Sequence, residues 1–170
     1  MSKGIIQIYT GDGRGKTPAA IGKAVQAAAE GANVVIIQFL KGKGLQESEF
    51  LKKLEPEIKL FRFEKSDGNF EMLSEERKAE EIMNIRNGMN FAKKVLCTGE
   101  ADLLVLDEVL GLIEKSIITV EDLENLLQCK SEETTVIMTG IVMSDEVCML
   151  ADKVSRIETV KFKTWDSTEE

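Results

Sequence analysis

The residues best suited to chemistry form one glycine-rich segment near the start of the chain. They are Gly11, Asp12, Gly13, Arg14, Gly15, Lys16 and Thr17. The alternating glycines let backbone N–H groups converge on phosphate oxygens, and a helix that begins after them adds partial positive charge. The lysine brings a full positive charge to the phosphates, and the threonine hydroxyl is a ligand for Mg²⁺. These residue types in this order predict a loop that binds the phosphates of a nucleotide.

The sequence on either side of this segment predicts the strand and the helix that such a loop requires. An apolar run at 5–9 precedes the segment, and an alanine-rich helical pattern at 19–30 follows it. One position departs from the usual pattern, because Thr10 stands where phosphate-binding loops usually have glycine. The alternative is a glycine-rich turn that contains a lysine and a threonine by chance, and the strand–loop–helix context disfavours it.

A second candidate site is Asp107-Glu108, which follows the apolar run 103–106. An aspartate at the end of a buried strand can hold Mg²⁺, usually through water, while the metal bridges phosphates. A neighbouring glutamate can orient the substrate or a water molecule. The residue types therefore predict Thr17 and Asp107 as metal ligands. The alternative is a helix N-cap, with Asp107 starting a helix at Glu108.

The overall composition limits the class of protein. The chain has 170 residues, of which 43% are hydrophobic, and its net charge is −8. We therefore expect one globular domain at 1–165, a polar tail at 166–170 and no nucleic-acid-binding surface. No leader and no apolar run of about 18 residues is present, so we expect a cytoplasmic protein with no membrane segment.

The chain contains no histidine, and this limits the chemistry. Serine–histidine and cysteine–histidine nucleophile systems are excluded. Catalysis then requires carboxylates, lysine or arginine, a bound Mg²⁺, or a substrate that is already a strong nucleophile. The three cysteines, Cys97, Cys129 and Cys148, have neither zinc-site nor disulfide spacing. Each lies in a helical pattern, so each is predicted to be a small buried residue in a reducing compartment.

Apolar periodicity predicts strands that alternate with helices. The predicted strands are 4–10, 33–39, 58–63, 102–106, 134–139 and 153–162. The predicted helices are 16–30, 46–54, a long helix capped by Ser74 and ended by Gly99, one opened by a Thr119–Asp122 capping box, and 144–151. The segment 64–73 has no period and is predicted to be a loop. This alternation is typical of an α/β fold with helices on both faces of a parallel sheet.

In such sheets, ligands bind at the carboxyl ends of the strands. The features at predicted strand ends are the glycine-rich segment, Lys41, the loop 64–73, Asp107-Glu108 and Thr139-Gly140. For Thr139-Gly140, a place in the site and a simple turn are equally consistent with the sequence. Phe70 lies in the irregular loop and is the better aromatic candidate for ligand contact, whereas at least one of Phe61 and Phe63 is expected in the core.

Several segments together resemble the phosphate-loop type of ATP:corrinoid adenosyltransferase. The matching segments are 10–17 with Ala19, Ala20 and Gly22, then 38–42, 105–108, 136–140 and 151–155. That family also begins its loop with threonine, so Thr10 agrees with the resemblance. The matches occur in order over residues 4–161 and are more specific together than the lysine and threonine of the loop alone.

The resemblance implies a RecA-like phosphate-loop (P-loop NTPase) fold and a protein that is typically a homodimer. It implies transfer of the 5′-deoxyadenosyl group of ATP to a cobalt(I) corrinoid, with release of triphosphate and with Mg²⁺ or Mn²⁺ as the ion. By resemblance, residues 11–17 bind ATP, and Lys16, Arg14 and Glu108 are catalytic. The resemblance also implies that Glu108 lies near the metal together with Asp107, so that Thr17, Asp107 and Glu108 are the metal ligands. Lys41 and Phe70 are the candidate corrinoid contacts, and a flavoprotein reductant is a further implied partner. Cobalt(I) is itself a strong nucleophile, which agrees with the lack of histidine.

Two positions depart from the family's pattern. Pro18 stands where a second threonine is usual, and Ile141 stands where an arginine is usual. These departures motivate an alternative, an ATP-binding module or regulator that has lost the transfer reaction. A small-molecule kinase or ATPase is a third hypothesis, because a fold alone does not determine function.

Overall fold

The described part of the chain alternates between strands and helices. The computed structural model describes residues 3–40, 46–63, 69–142 and 144–161. The strands are β1 Ile6–Thr10, β2 Val34–Gln38, β3 Ile58–Arg62, β4 Leu103–Asp107, β5 Thr135–Thr139 and β6 Lys153–Arg156. The helices are α1 Lys16–Ala29, α2 Gln46–Leu51, α3 Glu75–Thr98, α4 Val109–Glu114, α5 Val120–Leu127 and α6 Asp145–Cys148. Short 3₁₀ turns cover Lys52–Leu54 and Phe70–Met72.

The strands form one parallel sheet in the order β3-β2-β4-β5-β1-β6. Successive residues of a strand point to opposite faces of a sheet. Accordingly, Ile36 of β2 lies in a core cluster with Ala20 and Ala24 of α1. The next residue, Ile37, lies in a second cluster with Ile85 of α3. The continuous apolar runs are therefore buried on both faces, which confirms the predicted α/β fold.

Capping residues set the ends of the longer helices. The Ser74 side chain accepts a hydrogen bond from Arg77 N–H at the start of α3, and Gly99 ends this helix in the left-handed conformation with φ 67°. At α5, Thr119 and Asp122 form a reciprocal capping box. These observations confirm the predicted helix boundaries, because the same residue types satisfy backbone groups that a helix end leaves without intrahelical partners.

The middle of α3 carries the aromatic side of the core. Phe61 and Phe63 are both half-buried, and both pack against Phe91, with ring centroids 4.6 and 5.9 Å away. A Cβ at Gly88 would lie 2.7 Å from Phe63 and 2.8 Å from Phe39. The glycine therefore lets two rings approach the helix backbone closely.

The structure corrects several local predictions. Segment 64–73 contains the 3₁₀ turn Phe70–Met72, because the Asn69 side chain accepts a hydrogen bond from Glu71 N–H and starts the turn. Strand β6 ends at Arg156, before the predicted end at 162, and α6 covers only four residues. Helix α4 follows β4 almost directly, and the sequence indicated a helix here only in the alternative that starts it at Glu108.

The prediction that the three cysteines are buried is also wrong. Cys97 is exposed, and Cys129 and Cys148 are half-buried. Cys97 lies beside the buried Leu96 at the end of α3 and therefore falls on the outer side of the helix. A hydrogen bond with Cys129 raises the pKa of the Cys97 thiol above its ordinary value.

Among the described helices, none is both long enough and apolar enough to traverse a lipid bilayer.

Candidate functional site

The loop between β1 and α1 has the backbone shape that the glycines predict. Gly11 and Gly15 have φ values of 119° and 135°, in the region that favours glycine. Gly15 directly precedes Lys16, the first residue of α1. The first N–H groups of a helix have no intrahelical acceptor, and the helix dipole places partial positive charge there. The loop therefore leads into a site that favours an anion.

The Lys16 side chain lies across this loop. Its ammonium group donates to the Gly11 carbonyl at 2.9 Å and to the Gly13 carbonyl at 3.2 Å. Lys16 is half-buried, whereas Asp12 and Arg14 are exposed on the same loop. The lysine is thus held at the loop by neutral carbonyl oxygens, which a phosphate can replace with stronger, charge-assisted hydrogen bonds.

Asp107 is the centre of a buried polar cluster beneath the first turn of α1. It is 1% exposed, and its Oδ1 accepts hydrogen bonds from the hydroxyls of Thr17 at 2.8 Å and Thr139 at 2.7 Å. Its Oδ2 accepts a hydrogen bond from Gln38 Nε2 at 3.2 Å. The cluster contains Thr17, Gln38, Asp107 and Thr139.

The strand order explains how these residues meet. Gln38, Asp107 and Thr139 are the last residues of β2, β4 and β5, which are neighbours in the sheet. The residues two positions earlier, Ile36, Val105 and Ile137, all lie in the core cluster beside α1. Because the side-chain period of a strand is two, the three polar residues also lie on the α1 face. Thr17, in the first turn of α1, completes the cluster from above.

Glu108 has an unusual backbone conformation next to this cluster. Its φ is 62°, which is uncommon for a residue with a side chain. Its N–H donates to the Thr139 hydroxyl at 2.8 Å, and a Cβ added at Gly111 would lie 3.1 Å from Glu108 Oε2. The backbone at Gly111 therefore leaves room for the Glu108 carboxylate. Asp107 ends β4 and Glu108 precedes α4, so the alternative in which Asp107 caps a helix is wrong.

The family of the chain follows from its similarity to known sequences. A family model described as ATP:corrinoid adenosyltransferase BtuR/CobO/CobP matches residues 2–168. The chain belongs to the ATP:corrinoid adenosyltransferase family.

Individual relatives agree with this assignment. The chain is 31% identical over 159 residues to the corrinoid adenosyltransferase CobA of Salmonella typhimurium, covering 94% of this chain and 79% of that protein. It is 30% identical over the same length to a corrinoid adenosyltransferase of Escherichia coli. A KaiC-like protein of Pyrococcus horikoshii has a similar structure, with a TM-score of 0.57, 18% identity and coverage of 93% of this chain and 74% of that chain. This last similarity supports the phosphate-loop fold alone.

The structure explains why a threonine suits position 10, where the resemblance to ATP:corrinoid adenosyltransferases also implies a threonine. Its side chain is buried at the end of β1, and its hydroxyl accepts a hydrogen bond from Val142 N–H at 3.0 Å. Its carbonyl accepts another from Ile157 N–H at 2.7 Å. A glycine here would lose the side-chain bond that ties the segment after β5 to the start of the loop.

The segment after β6 also packs against the loop. Gly13 N–H donates to the Ile157 carbonyl at 3.1 Å. A Cβ on Gly11 would lie 2.1 Å from that carbonyl oxygen, and a Cβ on Gly13 would lie 2.9 Å from it. Gly11 and Gly13 therefore admit this neighbouring segment as well as giving the loop its shape, which no local sequence pattern indicates.

The structure brings some predicted site residues together. Thr17 and Asp107 are in contact, and Thr139 belongs to their cluster, which favours its place in the site over a simple turn. Phe70 is half-buried against the core, and Lys41 lies outside the described residues. Gln38 was not predicted to lie in the site, although a polar residue at the end of an otherwise apolar strand was the available signal.

Proposed function

We propose that this chain transfers the 5′-deoxyadenosyl group of ATP to the cobalt(I) of a corrinoid and releases triphosphate. The observation that carries the proposal is the buried contact of Thr17 with Asp107 beneath the phosphate loop, in a member of the ATP:corrinoid adenosyltransferase family. The geometry supports a nucleotide site, and the family supplies the reaction. We further propose that residues 11–17 bind the triphosphate.

The reaction requires no proton transfer by the protein. The cobalt(I) electron pair forms the bond to C5′, and the bond between C5′ and the phosphate oxygen breaks. That bonding pair leaves on the triphosphate, and cobalt becomes formally cobalt(III). The protein must align C5′ with cobalt, exclude water and stabilise the charge on the departing triphosphate. A chain without histidine is suited to this chemistry.

Lys16 and Arg14 are the proposed cations for the triphosphate. When ATP binds, the Lys16 ammonium exchanges its bonds to the carbonyls of Gly11 and Gly13 for bonds to phosphate oxygens. Arg14 is exposed on the same loop and is available to the outer phosphate oxygens. Both charges stabilise the leaving group where its negative charge develops.

The residues present fit a Mg²⁺ or Mn²⁺ ion. The Thr17 hydroxyl donates a hydrogen bond to Asp107, and a hydroxyl oxygen is among the ligands that Mg²⁺ takes. In the described residues, no group of three or more Asp, Glu and Cys side chains is placed to hold a metal alone. Phosphate oxygens and water would supply the other ligands, which suits Mg²⁺. Thr17, Asp107 and Glu108 are the proposed residues, and the ion would neutralise triphosphate charge.

The finer expectations about partners rest on the family resemblance. We propose Lys41 and Phe70 as corrinoid contacts, a homodimer as the assembly, a flavoprotein as the reductant and the cytoplasm as the location. Of the two proposed corrinoid contacts, Phe70 lies among the described residues. It is half-buried in the 3₁₀ turn Phe70–Met72 that follows β3.

An assay of the products tests the proposal. The protein is incubated without oxygen with ATP, Mg²⁺ and a chemically reduced cobalt(I) corrinoid. Adenosylated corrinoid and triphosphate in equal amounts are expected. ADP as the product would instead indicate a kinase or an ATPase. ATP binding with no product would favour the regulator, the alternative that Pro18 and Ile141 motivate.

A further inference from the structure

Gln38 contains a buried polar atom that has no hydrogen-bond partner. The side chain closes β2 and is 2% exposed. Its Nε2 donates to Asp107 Oδ2 at 3.2 Å, while its Oε1 is buried with no partner among the residues that the structure describes. Buried acceptors are nearly always paired, so such an atom at a candidate site indicates a missing donor.

The Asp107 carboxylate determines which way the Gln38 amide faces. A carboxylate accepts hydrogen bonds, so only the amide nitrogen can face it. Rotating the amide by half a turn would place Oε1 against Oδ2 and remove the donor from Asp107. The partnerless Oε1 is therefore a consequence of the cluster's own hydrogen bonding.

The chemistry of Oε1 restricts what can bind it. Phosphate oxygens are acceptors, so the triphosphate itself is not a partner for Oε1. Oε1 therefore requires an N–H or O–H donor, and a water bound to a cation is a strong O–H donor. The other residues of the cluster place the proposed cation nearby, because Thr17 is hydrogen-bonded to the same carboxylate that holds Gln38.

We propose that Gln38 is a positioning residue that accepts a hydrogen bond from a water bound to the nucleotide's Mg²⁺. This inference rests on the proposed function, since it requires a metal–nucleotide complex in the loop. Glutamine suits the position because it donates to Asp107 and accepts from the water at the same time. A glutamate would place a second negative charge within hydrogen-bonding distance of Asp107.

The test compares ATP binding with and without Mg²⁺ in Gln38→Leu. Calorimetry with ATP alone as ligand, without corrinoid, measures affinity in the absence of turnover. We expect the dissociation constant in Mg²⁺ to rise about five-fold, the equivalent of one ordinary hydrogen bond. In excess EDTA, the dissociation constants of variant and wild type should agree within about two-fold. An equal loss in both conditions would overturn the proposal and indicate that Gln38 contacts the nucleotide, for example a ribose hydroxyl, or only supports the fold.

Two further variants separate positioning from structural support. Thr134 directly precedes β5, at the amino ends of the strands and away from the loop. Thr134→Val removes its buried hydroxyl and should leave the Mg²⁺ dependence of ATP binding unchanged. Gln38→Glu replaces the donor to Asp107 with a second carboxylate, so it should weaken ATP binding in EDTA, whereas Gln38→Leu should not. If Gln38→Leu weakens ATP binding in EDTA as much as Gln38→Glu does, loss of the bond to Asp107 is what matters and the proposal is wrong.

The wild-type measurements distinguish this inference from the proposed function. Wild-type protein that does not bind ATP, or that yields no adenosylated corrinoid, contradicts the proposed function. Wild-type protein that does both, with a Gln38→Leu variant of unchanged Mg²⁺ dependence, contradicts the role of Gln38 alone.

Discussion

The side chains of Thr17 and Asp107, which are 90 positions apart in the sequence, are joined by a hydrogen bond of 2.8 Å. This bond connects the first turn of α1 to the carboxyl end of β4. Asp107 is the one carboxylate in a cluster of neutral donors, and it accepts hydrogen bonds on both oxygens. The cluster is therefore held together by the chain's own hydrogen bonds, and such preorganisation lowers the cost of ordering a binding site.

Replacing Thr17 tests this connection. Thr17→Val keeps the shape of the side chain but removes the proton donor to Asp107 and the proposed metal ligand. We expect ATP affinity in Mg²⁺ to fall by about 1.5–3 kcal/mol, the range for hydrogen bonds to charged groups. Calorimetry measures this change, and Thr98→Val at the exposed end of α3 is the control. Unchanged affinity in Mg²⁺ would show that Thr17 has no part in the metal site.

Replacing Lys16 tests the phosphate loop itself. Lys16→Ala removes the charge that is now held by the carbonyls of Gly11 and Gly13. ATP affinity should fall by about 1.5–3 kcal/mol because charge-assisted contacts to phosphate are lost. The matched control is Lys23→Ala, an exposed lysine further along α1, which should bind ATP as the wild type does. Equal affinities for Lys16→Ala and wild type would exclude the loop as the triphosphate site.

Two glycines within helices, Gly88 and Gly22, give a matched test of packing through the free energy of unfolding. Alanine is favoured over glycine in a helix by about 1 kcal/mol. At Gly88, however, a Cβ would lie within 3 Å of the Phe39 and Phe63 rings, whereas at Gly22 nothing lies within 4 Å. Gly88→Ala should therefore destabilise the protein by about 1–3 kcal/mol, and Gly22→Ala should stabilise it by up to about 1 kcal/mol. Urea unfolding measures both, and a stabilising Gly88→Ala would contradict the described packing.

The α5 capping box predicts a dependence of stability on pH. Hydrogen bonds from the Thr119 backbone and side chain lower the pKa of Asp122 from its ordinary value of 3.8. A carboxyl group whose pKa is lower in the folded than in the unfolded protein stabilises the fold at pH values above the unfolded pKa. This stabilisation is lost as the pH falls through the folded pKa. Asp122→Asn should therefore be less stable than wild type at pH 7 and should approach wild type in acid. Unfolding midpoints of the two proteins, measured from pH 7 into acid, check this. A difference that stays constant with pH would contradict the capping box.

Thr119 provides the other half of this box. Thr119→Ala removes the hydroxyl that accepts a hydrogen bond from Asp122 N–H at 3.1 Å. A loss of about 1 kcal/mol in the free energy of unfolding is expected, the usual cost of removing an N-cap. The control is Thr98→Ala at the carboxyl end of α3, which should lower the free energy of unfolding by less. A larger loss for Thr98→Ala would argue against the capping box as a source of stability.

Some features of the fold and site could be predicted because they depend on local sequence. The apolar runs of β2 and β4 indicated strands buried on both faces, and Ser74, Gly99 and Thr119 indicated helix ends. The glycine spacing of the loop and the position of its lysine are likewise local patterns.

Other features depend on the order of strands in the sheet, which local patterns do not contain. Gln38 meets Asp107 because β2 lies beside β4, and Ile157 reaches Gly13 because β6 lies beside β1. The exposure of Cys97 depends on which side of α3 faces the sheet, and a helical pattern with a low contrast between its faces does not determine that.

The most direct measurement of the central claim is the fate of the oxygen that joins C5′ of ATP to its phosphate. ATP labelled with ¹⁸O at that position is incubated with the protein, Mg²⁺ and a cobalt(I) corrinoid, and the products are examined by mass spectrometry. Adenosyl transfer predicts that the label leaves with the triphosphate, because the bond between C5′ and oxygen breaks. Label retained on ADP or AMP, with no labelled triphosphate, would contradict the proposed function.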